Sequence, residues 1–147
     1  MDQRLSLVTL GVTDLARARA FYEQLGWQGQ ETQETVFFQA GGMAVVLWGR
    51  DKLAADSGVA DSPPGPFSGV VLAQNVRSEA EVRDVVARAE RAGGTVTRAP
   101  APTFYGGYAG CFADPEGHIW EVAHNPGFAM AADGSITLPD FSADPPG

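Results

Sequence analysis

The chain has 147 residues, 44% of them hydrophobic, and a formal net charge of -8. That length suits one domain, residues 1–147, able to bury a core of its own, and the scattered Lys and Arg exclude a phosphate-binding patch for nucleic acid. No apolar run is long enough to span a bilayer as a helix, so neither nucleic acid nor membrane is an expected partner.

The first ten residues, MDQRLSLVTL, are acidic and polar before they turn apolar. They lack the basic-then-apolar pattern of a secretory leader, so a cytoplasmic location is expected. LSLVTLGV, from Leu5 to Val12, alternates well enough to predict a strand. A helix follows in TDLARARAFYEQLGW. Thr13 or Asp14 can cap it, Leu15, Ala18, Phe21, Tyr22 and Leu25 share one face, and Gly26 ends it. Three short strands come next, a polar one near 28–33, then TVFFQA and MAVVLWG, with Gly41–Gly42 marking a hairpin turn. Residues 5–50 thus read βαβββ.

Residues 51–66, DKLAADSGVADSPPGP, are polar and rich in Pro and Gly, and read as a linker. The same plan then repeats over 67–126. FSGVVLAQNV predicts a strand, and SEAEVRDVVARAERAGG a helix with a capping box at Ser78 and Glu81 and an apolar stripe of Val82, Val85, Val86 and Ala89. TVTRAP, GYAGCFA and HIWEVAH are the closing strands, the last two joined by the turn DPEG. Each module supplies one helix for one face of its sheet, so the other face needs the sister module, a partner chain or a ligand. The loop Ala99–Gly110, stiffened by prolines and loosened by Gly106–Gly107, is a candidate lid or entry loop, with a simple strand connection as the alternative. In the tail, 127–147, contacts are expected at Phe128, Ile136 and Leu138, and disorder over 142–147. The one cysteine, Cys111, excludes an intramolecular disulfide and reads as a buried structural thiol.

VTLGVTDLARARAFYEQLGW and GGYAGCFADPEGHIWEVAHNP resemble the opening and closing signatures of the vicinal oxygen chelate superfamily, which includes glyoxalase I, the extradiol dioxygenases and the bleomycin-resistance proteins. The likeness covers residues 5 to 126. It implies an α+β fold in which two tandem βαβββ modules curve their mixed sheets around a cavity, often in a homodimer. It also implies metal ligands at one position on the first and last strand of each module. Those positions fall on Leu7, Leu47, Val70 and Glu121. Aliphatic side chains cannot ligate a divalent ion, so no metal cofactor is expected.

The two histidines do not rebuild a site. Along a strand His118 and His124 face away from Glu121 and stand roughly 20 Å apart at about 3.3 Å per residue. His118 reads as a turn residue and His124 as an edge residue. Strand parity assigns Leu7, Thr9, Val45, Leu47, Val70, Leu72, Cys111, Ile119 and Glu121 to the cavity face, with Tyr105 among its aromatic walls and Trp120 in the core. Glu121 has two open roles: a carboxylate paired with an Arg such as Arg98, or a ligand anchor or general base. The expected function is metal-free binding of an apolar or aromatic small molecule, as the bleomycin-resistance-like members do. The alternative is a glyoxalase- or dioxygenase-like lyase, isomerase or oxygenase using Glu121 as metal ligand or base. A third possibility is a scaffold whose cavity is filled by its own side chains.

Overall fold

The alternating segment Leu7–Val12 forms strand β1 and leads into helix α1, Leu15–Gln24. Asp14 caps that helix, its side chain accepting from the Arg17 N–H at 2.9 Å. Strands β2 (Gly29–Thr32), β3 (Thr35–Ala40) and β4 (Met43–Gly49) complete the first module. The second comprises β5 (Val71–Asn75), helix α3 (Glu79–Arg91), β6 (Thr95–Pro102), β7 (Tyr108–Ala113) and β8 (Ile119–His124). Ser78 caps α3 by accepting from the Glu81 N–H, while the Glu81 carboxylate accepts from the Arg77 N–H. This computed structural model describes residues 1–63 and 65–142.

The two sheets repeat one strand order, β1-β4-β3-β2 and β5-β8-β7-β6, and in each the first strand runs parallel to the last. The fold is therefore α+β with two βαβββ modules, as the duplicated pattern predicts. Both sheets are open, and among the described residues they do not close into a barrel around a cavity.

One core lies on the helix-facing sides of both sheets and joins the modules. Phe21 and Tyr22 of α1 reach across to Phe112 and Trp120 of the second module, with ring centroids 6.1 and 6.2 Å apart. Fully burying a side chain such as Phe21 contributes about 1.5–3 kcal/mol, so these cross-module residues fix the modules against each other.

Three segments take a form that the sequence left open or did not announce. The linker begins with a helix, α2 (Arg50–Asp56), where Leu53, Ala54 and Ala55 are good helix formers and Asp51 lies in the first turn. The 99–110 segment is a hairpin end. Thr103 and Gly107 close it by N–H to carbonyl and N–H to Oγ1 bonds of 2.9 and 3.0 Å, and Gly106 supplies the positive φ of +82°. The tail forms a small hairpin of β9 (Ala129–Met130) and β10 (Ile136–Thr137), held by Arg77 Nη2, which donates to the Ala131 and Ala132 carbonyls at 2.6 and 3.2 Å. Phe128 is half-buried, whereas Ile136 and Leu138 are exposed. Of the end expected to be disordered, residues 143–147 lie outside the described residues.

Candidate functional site

Strand register decides which side chains reach the sheet faces away from the helices. Thr9 pairs with Val46 and Leu7 with Ala44, on the face opposite to Leu10 and Leu47. In the second module Ala73 pairs with Glu121 and Val71 with Ile119, while Leu72 pairs with Trp120 on the helix side. Cys111 stands opposite Glu121 on the neighbouring strand and, against the expectation of a buried thiol, is only partly buried because it faces outward beside Arg98. Leu7, Thr9, Cys111, Ile119 and Glu121 therefore share the outward faces.

Val45, Leu47 and Leu72 do not. Leu47 is 0% exposed and, with Val45, belongs to the core beneath the helices, where Leu72 also packs. Val70 precedes β5 and is exposed. The physical reason is common to these shifts. MAVVLWG and GVVLA are unbroken apolar runs, and β4 is buried on both faces at Val45, Val46 and Leu47, so neither run carries the alternation that fixes parity. The duplication does carry the missing information. Counting back from Val12 and Val76 sets Leu7 against Val71, and the paired positions Thr9–Val46 and Ala73–Glu121 correspond. In this register the four positions at which the resemblance implies metal ligands are Leu7, Val46, Val71 and Glu121, and three of them are still aliphatic.

Around Glu121 the outward face is polar. Arg98 Nη2 donates to Glu121 Oε2 at 3.2 Å and lies 3.4 Å from the Cys111 sulfur, and its Nη1 is 3.5 Å from the Ala109 carbonyl. Of the two roles left open for Glu121, the geometry contains the arginine pair. Both partners are partly exposed, so the pair contributes only about 0–1 kcal/mol and leaves the carboxylate open to exchange with solvent or ligand. Hydrogen bonding to Cys111, opposed by burial, raises the Arg98 guanidinium further above its ordinary range, so it is a fixed positive charge. Tyr105 sits at the tip of the β6–β7 hairpin, half-exposed, with its ring edge-on to Phe104.

The histidines are held elsewhere. His118 Nδ1 lies 2.9 Å from Asp114 Oδ2, and the His118 and Glu116 N–H groups both donate to Asp114 Oδ1 at 2.9 Å. The Tyr22 hydroxyl donates to Asp114 Oδ2 at 2.6 Å and accepts from Trp120 Nε1 at 3.1 Å. Burial pushes Asp114 up, yet the bonds and charge of His118 and the Tyr22 hydroxyl outweigh it, and the net shift is downward. Burial, followed by the Asp114 charge, pushes the Tyr22 phenol far up, so it stays a neutral donor. His124 Nδ1 donates to the Val76 carbonyl at 3.2 Å. Among the described residues no group of three or more His, Cys, Asp or Glu side chains is placed to hold a metal ion.

Glu116, which the sequence marks only as a turn residue, is the larger surprise. It accepts from the Thr13 and Asp14 N–H groups at 2.9 Å each, from Thr13 Oγ1 at 2.9 Å and from Arg17 Nη2 at 3.0 Å. The second module's turn thus supplies an anion to the N-terminus of the first module's helix. Burial works against its charge, but these donors prevail and hold its carboxyl below the usual range. No local signal could have revealed a contact between residues a hundred positions apart.

The family model described as the Glyoxalase/Bleomycin resistance protein/Dioxygenase superfamily matches residues 4–122. A glyoxalase-related enzyme from Fulvimarina pelagi has a similar structure, with 40% sequence identity and a TM-score of 0.85 over 92% of this chain and 98% of that one. A hypothetical protein from S. aureus is 26% identical with a TM-score of 0.74, covering 85% of this chain and 95% of its own. The fosfomycin resistance protein FosX from Mesorhizobium loti, 21% identical with a TM-score of 0.63 over 85% of this chain and 94% of that one, shares the fold. No curated protein matches the chain.

Proposed function

The chain belongs to the Glyoxalase/Bleomycin resistance protein/Dioxygenase superfamily, and on that premise we propose that it binds an apolar or aromatic small molecule on the outward faces of its sheets without a resident metal. The observation that carries this reading is the donor set. Leu7, Val46 and Val71 occupy the corresponding ligand positions, and the fourth, Glu121, is met by Arg98. Three hydrocarbon side chains and one carboxylate already facing a cation do not fit a divalent ion, which needs several N, O or S donors at once.

The same side chains suit an apolar ligand. Leu7 and Val71 are 49% and 46% exposed, and Phe37 also projects outward, so the faces offer hydrocarbon to a guest. Arg98 and Glu121 then supply the polar points that orient it. A second copy of the chain would roof these faces, which makes a homodimer with a shared cavity the proposed working form. The net charge of -8 favours cationic guests at long range.

A second reading is supported by Glu121 itself, a partly exposed carboxylate beside Arg98 on the outward face, which could serve as a base in an isomerase or lyase. Elemental analysis of untagged protein, purified without chelator or nickel resin, tests the first reading. Substoichiometric Zn, Fe, Mn and Ni is the expected result. A full equivalent of any of them overturns the metal-free proposal and moves the protein to the enzymes.

A further inference from the structure

The duplication is broken at one place on the helix side, and the break leaves a cleft. Counting from the helix caps Asp14 and Ser78, Ala18 corresponds to Val82 and Tyr22 to Val86, all four buried. Phe21 then corresponds to Val85. On the strands, Leu10 corresponds to Gln74, since they pair with Leu47 and Val122 respectively.

Where Phe21 sits, packing is complete. Its ring meets Phe112 at a tilt of 55° and lies so close to Gly94 that a Cβ there would be 3.1 Å from Phe21 Cε2. On the opposite side the smaller Val85 is only half-buried and Gln74 replaces the buried Leu10. The space left is a cleft of about 160 Å³ walled by Tyr22, Trp27, Phe112 and Trp120, with Gln74 and Arg88 among its lining.

We propose that this cleft is a second binding site, separate from the outward faces, for a small planar aromatic carboxylate of the benzoate class. The volume supports one ring, since a dry apolar cavity of about 150 Å³ takes up benzene. The walls support a flat ring, since aromatic side chains favour stacked or edge-on aromatic neighbours. The polar lining supports an anion. Arg88 meets one carboxylate among the described residues, with its Nε 3.2 Å from Asp84 in a half-exposed pair, so the terminal fork of its guanidinium is left for a second oxyanion. Gln74 stands exposed on the rim of the cleft, where the first module has the buried Leu10, and its solvated amide is within the lining as a hydrogen-bond donor. A cation and an exposed amide donor at the rim of an aromatic slot of one-ring size match a carboxylate on a ring.

Benzoate titration of the intact chain, followed by calorimetry and by the fluorescence of Trp27 and Trp120, tests this. Saturable uptake is expected, with the uncharged benzyl alcohol binding more weakly. Arg88→Gln, a surface change that leaves the core alone, should weaken benzoate at least about tenfold, the usual scale for losing a charge-assisted contact. Val85→Phe, which restores the residue of the first module, should abolish uptake while the far-UV circular dichroism stays native. Absence of saturable uptake by the unaltered chain overturns the proposal, and so does an affinity indifferent to Arg88→Gln. Uptake that instead vanishes in Val71→Arg belongs to the outward face and overturns it equally, leaving the proposed function intact.

Discussion

At the scale of single residues, Asp114 concentrates the polar chemistry of the interior. Two backbone N–H groups, a phenol and an imidazole converge on one buried carboxylate. Its folded-state pKa is depressed, so its stabilisation is present above the ordinary carboxylate range and is lost as pH falls through the folded value. Asp114→Asn should therefore cost about 1–3 kcal/mol near neutral pH in urea unfolding, the cost of leaving a buried donor short of its partner. The gap between variant and parent should narrow once pH drops below about 4, where the unfolded carboxylate takes up its proton. A gap that stays constant with pH would assign the loss to shape alone. At this scale the sequence was partly readable. The pairing of Glu121 with Arg98 was one of two open roles, because a carboxylate among aliphatics must find a donor. The facing of Val45, Leu47 and Leu72 was not readable within the runs themselves, because unbroken apolar stretches carry no parity, and only setting one module against the other supplies it.

At the scale of elements, caps and turns were legible wherever the signal is local. Asp14, Ser78 and the glycines after each helix stand where short-range chemistry puts them. Helix α2 is not legible in the sequence because RDKLAAD is too short to show periodicity and borders a Pro/Gly-rich stretch. Its start crosses β1 at Gly11, where a Cβ would lie 3.2 Å from the Arg50 Cα, so that glycine is kept by an approach no pattern announces. Helix α1 is capped twice, by Asp14 from within and by Glu116 from the other module. Glu116 is only 5% exposed at its side chain, and four donors depend on it. Glu116→Ala should lower unfolding free energy by about 1–3 kcal/mol, measured by urea denaturation. A loss no larger than that of Asp133→Ala, an exposed turn carboxylate of the tail, would show the contact to be ornamental.

At the scale of the whole molecule, the architecture was legible because it is written twice. Two βαβββ patterns and two helix-ending glycines specify two like sheets even where single strands are ambiguous. The closing of a cavity was not legible in the same way, since it depends on what covers the outward faces. Leu7, Phe37, Val71 and Tyr105 leave those faces hydrocarbon-rich and partly bare. Analytical ultracentrifugation should find a dimer, with a melting temperature that rises with protein concentration as mass action requires. A monomer at every concentration, with a constant melting temperature, would remove the second copy from the proposed working form.

The carboxylate of Glu116, seated on the start of the first helix, has a further consequence for continuity of the chain. The modules are bound by that contact, by the Tyr22–Asp114 bond and by rings that cross between them, none of which passes through the exposed segment 57–63. A protease that nicks this segment should therefore leave two fragments that elute together and melt as one body. Expressed as separate halves, residues 1–60 and 61–147 should find each other in solution, each useless alone and complementary to its counterpart. The peptide link between the halves would then serve mainly to raise their local concentration.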